Sequence, residues 1–387
     1  MARMNSAPLL FASLCVLAAA PPSAQQTAPS EESAWLGLDQ EIHALRSGLG
    51  TSEPGGLAVR GFSKLHFALG PDFDAAGGGD LGGFRMRAAR LLLQGPINDE
   101  MRVNIGIEGT QAGQGQDFRL LDAEIFWEIP DQDMQVLIGL FREPLLHTGF
   151  LGIPEQIAID RTLNGARNID RRLGAQLYGS LMDGEYEYWL AIQNGLPALE
   201  NEYRFTVRGA WHVIRSTHDG QMVKAFNGQE GARGTFRQTT LSVGVAAQHD
   251  GQDELGQDRD KLAFDIAGTY NNFWGALELV EYQEGEPDST FDEVLYGAAG
   301  TITTPLADTT PFSLTAAYLF GDLEQHEVLA RVEDHDDADS TRRTTLGYTF
   351  FPQGNPNTRW QLNISRFDSD LASLDGTVVE GGLALRF

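Results

Sequence analysis

From Ala58 to Phe387 the sequence alternates apolar and polar residues with a period of two, and this constrains the fold more than any other feature. Leu121, Ala123, Ile125 and Trp127 oppose Asp122, Glu124, Phe126 and Glu128. Tyr186, Tyr188, Leu190 and Ile192 oppose Glu185, Glu187 and Gln193. The chain stops in the same rhythm, with Val379, Leu383, Leu385 and Phe387 on one side and Glu380, Gly382, Ala384 and Arg386 on the other. A period of two is that of a strand with two unlike faces, and polar clusters such as MDG and FPQGNPN separate the segments as turns. Such strands fit either a soluble sandwich or a closed barrel whose apolar face meets lipid.

The start reads MARMNSAPLLFASLCVLAAAPPSAQQ, in which Arg3 precedes a short apolar run from Leu9 to Ala20. That pattern is expected of a secretory signal peptide over residues 1–24, cleaved near Ala20 to Ala24. The one cysteine, Cys15, falls inside it, so the exported chain is expected to hold no disulfide. Beyond it no run of 18 apolar residues exists, which removes a membrane-spanning helix from consideration. Residues 25–56 form a separate short helical and linker segment. Its Trp35, Leu38, Ile42, Leu45 and Leu49 keep a/d spacing over two heptads before TSEPGG ends the pattern.

Residues 57–387 are therefore assigned to an all-β unit, a transmembrane up-and-down antiparallel barrel. The pattern yields seventeen candidate strands. Because closure with both ends on one side needs an even number, sixteen is the expected count, with the surplus placed between residues 292 and 332. Aromatic residues cluster at strand ends on the apolar face (Trp127, Tyr186, Trp211, Tyr348, Phe350, Trp360, Phe387), as in the girdles of membrane barrels. The last strand is expected to pair with the first, with the Phe387 ring turned to lipid.

Function classes narrow quickly. The net charge is −26, from 54 acidic and 28 basic residues, and only Lys64, Lys224 and Lys261 are lysines, so no nucleic-acid surface is expected. No G-x-S-x-G, H-E-x-x-H or P-loop occurs, and the eight histidines lack metal-ligand spacing, so neither an enzyme nor a cofactor or metal site is expected.

Several stretches occur in a telling order: RAARLLLQG (87–95), LLDAEIFWEI, VLIGLFREPLLHTGF, RNIDRRLGAQLYGSLMDGEYEYWLAIQNG and RFTVRGAW, with EVLARVE and TTLGYTFF later. This order resembles the phosphate-selective porin O and P family of outer-membrane channels, closely over residues 82–215 and loosely over 325–387. The resemblance implies a sixteen-stranded homotrimeric porin in outer-membrane lipid, passing small solutes or ions past a loop folded into the lumen. Here that loop would start after Arg142-Glu143-Pro144 and run to about Asn168, and its sequence is unusually apolar. The alternative is a loop over the barrel rim or at a subunit contact.

The candidate pore and constriction residues are Arg90, Arg142, Arg161, Arg167, Arg171, Arg172 and Arg208, with the acids Glu124, Glu185 and Glu187. Guanidinium groups match phosphate in a fixed fork. Equally, these arginines can pair with nearby acids such as Glu143, Glu155, Asp160 and Asp170 and hold the loop to the wall. On the strand faces read as luminal, eleven acids oppose seven bases (Lys64, Arg90, Arg102, Arg172, Arg208, Arg331 and Arg386). That balance argues against an anion funnel. The expected function is a passive diffusion channel, with phosphate selectivity in doubt; a structural or adhesive barrel with a plugged lumen is the alternative.

Overall fold

The computed structural model describes residues 58–387, except 75–79, 111–116, 169–170, 196–202, 227, 252–258, 284–288, 291–302, 305–308, 338–339 and 371–374. The signal peptide and the helical segment expected at 25–56 lie outside the described residues.

Sixteen strands close into one antiparallel barrel. The first eight are β1 (Ala58–Asp74), β2 (Asp80–Pro96), β3 (Met101–Thr110), β4 (Asp117–Glu128), β5 (Met134–Arg142), β6 (Arg171–Leu181), β7 (Tyr186–Asn194) and β8 (Tyr203–Ile214). A small hairpin of β9 (Ser216–His218) and β10 (Gln221–Val223) follows. The barrel resumes with β11 (Thr240–Asp250), β12 (Arg259–Tyr270) and β13 (Phe273–Gln283). A second hairpin, β14 (Ser289–Thr290) with β15 (Thr303–Thr304), stands outside the barrel sheet. The last five strands are β16 (Phe312–Phe320), β17 (His326–Asp334), β18 (Arg342–Phe350), β19 (Thr358–Asp368) and β20 (Gly376–Arg386). Each barrel strand pairs with its predecessor, and β20 pairs with β1 from Phe62↔Arg386 to Leu69↔Val379. The count is sixteen, as expected; among the described residues between 292 and 332, only β16 and part of β17 belong to the barrel sheet.

The burial pattern is inverted relative to a water-soluble protein. Lys64, Glu380 and Glu333 are fully buried inside, whereas Leu346, Leu173 and Val245 point outward and are 60%, 57% and 56% exposed. Burying charge is costly unless each group is paired, and exposing so many large apolar side chains is equally unfavourable in water. A hydrocarbon exterior resolves both. Outward aromatic residues collect where short turns join the strands. Phe273 meets Tyr318 at 4.5 Å between ring centroids, and Phe320, Tyr348 and Phe350 surround His326.

Close approach of backbones explains one glycine of the GLFR stretch. Gly139 has φ +135°, and a Cβ there would run into the Ala123 carbonyl oxygen of the neighbouring strand. Any larger residue would push β4 and β5 apart just before Arg142 turns into the loop.

Candidate solute passage

The loop after β5 enters the barrel, and its apolar sequence is what lets it stay there. Leu145 and Leu146 are fully buried in a cluster with Ala246, Ala263, Val280 and Tyr282. Alanines on the inward faces of β11 and β12 leave the room that the leucines fill. Farther along, Ile157 and Ala158 pack against Trp274, Ala317, Leu319 and Leu329.

The loop's polar backbone groups are then matched by charged wall residues, as burial requires. Arg208 donates to the Leu145 carbonyl at 2.7 Å, and the His147 N–H donates to Asp265 at 2.6 Å. Lys64 donates to the Ile159 carbonyl at 2.6 Å, Arg331 to the Asp160 carbonyl at 3.0 Å and Gln361 to the Ile157 carbonyl at 2.9 Å. The Leu163 N–H donates to Glu333 at 2.6 Å, and Thr162 caps its own helical turn by accepting from the Gly165 N–H at 3.0 Å. Asp160 lies 3.4 Å from Arg87 and 3.7 Å from Arg343. Burial alone would raise the Asp160 pKa; Arg87 and Arg343, with His66 and Lys64, outweigh it and hold the carboxyl below the usual range. The loop thus spans from β5 to β1 and to β11 through β19.

A second segment reaches the same interior, and the two-residue pattern gives no sign of it. Between the β9–β10 hairpin and β11, residues 224–226 and 228–238 run inward as a strap. Phe226 stacks on His147 of the loop, with ring centroids 4.5 Å apart. The Ile157 N–H donates to Glu230 at 2.9 Å, and the Glu230 N–H donates to the Glu155 carbonyl at 3.0 Å. Arg233 donates to the Gly354 carbonyl at 3.0 Å and lies 4.4 Å from the Phe351 ring centroid, and Arg237 pairs with Glu324 at 2.8 Å. The strap therefore ties the β8–β11 connection to the turns after β16 and β18. Its sequence signal is a loss of alternation, with Gly228, Gly231 and Gly234 in NGQEGARG and positive φ at the first two. Length and glycine content show a loop, but not which way it folds.

Loop and strap together fill the side of the bore lined by β11 to β19. Beside them lie two cavities of about 470 and 550 Å³ that share Asn104, Asp122 and Arg142 in their linings; the first is bounded by β3 to β8 and the second by β1 to β5, the loop and the end of β20 at Arg386 and Phe387.

Most of the arginines singled out in the sequence gather here. Arg142 lines both cavities and donates to the Gly149 carbonyl at 3.0 Å. Arg161 donates to the Thr148 carbonyl at 2.7 Å, Arg171 pairs with Asp122 at 2.6 Å and Arg90 pairs with Glu108. Burial, and then the charges of Arg90 and Arg171, lower the Arg161 pKa to about 9. Glu124 faces the first cavity and accepts from Asn104 at 2.6 Å. Four guanidinium groups thus stand near Glu108, Asp122 and Glu124.

The remaining candidates divide between the first cavity and other places. Arg208 pairs with Asp265 at 2.8 Å, Glu187 is bound by Tyr178, His212 and Lys224, and both line the first cavity. Arg172 is buried and donates to the Asn194 carbonyl at 3.3 Å. Arg167 belongs to the helical turn Leu163–Arg167, and its charge, after burial, lowers the pKa of His335 beyond β17. Glu185 sits in the turn between β6 and β7, paired with Arg215 at 3.2 Å, away from both cavities.

The inward faces also carry Arg204, Lys261, Arg343 and Arg359, which the luminal tally from sequence left out. They raise the inward bases of that tally from seven to eleven; buried Asp250 joins its acids and Glu185 leaves them, so eleven acids face eleven bases. Counting residues two apart from Thr345 in RRTTLGYTF would have found Arg343.

No protein-family model matches this chain, and no curated protein matches it in sequence. Solved structures do match in fold. OmpF of Salmonella typhi, in a complex with daunomycin, aligns with a TM-score of 0.59 at 13% identity over 86% of this chain and 98% of its own. An anion-selective porin from Comamonas acidovorans aligns at 0.56 and 15% identity, covering 86% of this chain and all of its own. The outer-membrane channel DcaP of Acinetobacter baumannii aligns at 0.54 and 11% identity, covering 88% and 99%. The fold is that of outer-membrane porins.

Proposed function

We propose that this chain is an outer-membrane diffusion channel for small solutes. It is exported by the N-terminal signal and embedded in outer-membrane lipid as a homotrimer, the last point resting on the family resemblance alone. The observation that carries the reading is the loop Glu143–Asn168: it is anchored across the bore of a closed barrel with an apolar exterior, yet cavities of about 470 and 550 Å³ remain beside it. A passage narrowed by charged side chains is selective through pore diameter and field.

The pairing of charges argues for weak ion selectivity rather than a phosphate filter. Arg90, Arg142, Arg161 and Arg171 are already bound by carboxylates or by loop carbonyls. Phosphate would have to displace those partners, and a lysine ladder cannot be built from three lysines. Reversal potentials of the purified protein in asymmetric potassium chloride, with phosphate added, test this. The expected result is a small reversal potential and little phosphate block. Strong anion preference with phosphate block would restore the phosphate-selective assignment.

A plugged structural barrel is the second reading, favoured by the strap, which closes over part of the bore. Deleting loop residues 145–166 should then create conductance where none existed; under the channel reading it enlarges an existing one.

A further inference from the structure

The first cavity is built differently from a passage for ions. Rings surround it: Phe126, Phe141, Phe150, Tyr178, Trp189 and Phe226. Trp189 lies 5.5 Å from Phe150 and 5.2 Å from Tyr178, centroid to centroid, so wall and loop rings form one continuous surface. The strap supplies Phe226 and Gly228 as the remaining side.

Set among these rings are hydrogen-bond acceptors. Gln176 is 8% exposed, lines the cavity, and its Oε1 has no hydrogen-bond partner; the buried Oδ1 of Asn104 has none either. An unsatisfied buried acceptor is costly, so both positions favour a donor brought in from outside. The charged lining groups, by contrast, are already engaged. Arg208 is held by Asp265, Asp122 by Arg171, and Glu187 by Tyr178, His212 and Lys224. The remaining lining carboxylate, Glu124, accepts from the Asn104 amide at 2.6 Å.

We infer that this cavity binds a small neutral polyhydroxylated solute, of the size and chemistry of a monosaccharide. The C–H faces of such a ring lie against Trp189 and the phenylalanines, and its hydroxyls donate to Gln176, Asn104 and Glu124. The volume, about 470 Å³, is within the range of small-molecule sites. The inference rests on the channel reading for its biological sense, but binding can be measured without conduction.

The test uses the full chain in detergent, titrated with D-glucose while tryptophan fluorescence is followed. Trp189→Phe isolates the signal of the cavity. Gln176→Leu is the discriminating variant, because it removes an unpartnered buried acceptor and so should not harm folding, yet it should weaken glucose binding about tenfold, the loss of roughly one hydrogen bond. A saturable change with glucose that is absent from Trp189→Phe and weakened in Gln176→Leu supports the site. No saturable change, an unaltered response in Gln176→Leu, or tighter binding of phosphate or choline would overturn it. Bilayer recordings separate the two readings. A chain that conducts but does not bind glucose contradicts the site alone, whereas one that binds glucose without conducting keeps the site and contradicts the channel.

Discussion

Phe387 and Gly61 exchange both backbone hydrogen bonds across the seam of the barrel, at 3.0 and 2.8 Å, and the Phe387 ring covers the face where Gly61 has no side chain. The final residue is therefore the last rung between β20 and β1, with its ring largely exposed on the outer surface. Deleting Phe387 removes two hydrogen bonds, a loss of about 1–3 kcal/mol. The heat-modifiable folded band on unboiled gels should shrink, while Gly61→Ala, which only displaces the ring, should fold nearly as well as the parent.

Arg208 and Asp265 form a buried ion pair that also holds the loop through Leu145 and His147. Removing one partner leaves the other charge uncompensated, at a cost of about 3–5 kcal/mol. Arg208→Ala should lower the melting temperature markedly, and adding Asp265→Ala should restore part of it. An additive loss would mean that the two groups are not coupled.

His147 gives the loop–strap contact a pH dependence. Burial, reinforced by the charge of Arg208, lowers its pKa from 6.5 to about 3, although Glu187 pulls the other way. Between those values the unfolded chain takes a proton that the folded chain refuses. The contribution to stability is thus full above pH 6.5 and falls as pH drops toward 3, by at most about 1.4 kcal/mol per pH unit. Thermal melts from pH 7 to pH 4 should show a shallower decline for His147→Gln than for the parent. Parallel curves would show that His147 is not the group responsible.

The strap packs against the loop inside the bore, through Phe226 on His147 and Glu230 on Ile157. Replacing residues 225–237 by a short glycine-serine turn should increase single-channel conductance and leave the barrel's sheet content unchanged by circular dichroism. Unchanged conductance would place the strap outside the conducting path.

The architecture was legible because strand faces are written into the sequence one residue at a time. Leu383 and Leu385 had to face one way and Glu380 and Gly382 the other, and the sixteen barrel strands follow that rule. The loop from Glu143 was legible through its composition: Leu145, Leu146 and Ile157 make no sense over a water-exposed rim. The strap was not, because Phe226 and Glu230 contact His147 and Ile157 across the barrel, and no local period encodes a contact between two irregular segments. Arg90, Arg142, Arg161 and Arg171 lie close together beside the loop, whereas Arg167 and Glu185 do not join them. One turn of helix carries Arg167 toward His335, and a tight turn leaves Glu185 outside the bore.

The most direct test of the account is single-channel recording of the purified chain in a planar bilayer. A closed barrel with a passage beside the loop predicts stepwise, resolvable increments in potassium chloride. A membrane that stays silent after verified insertion, or a chain that keeps its sheet content in water without detergent, would contradict it.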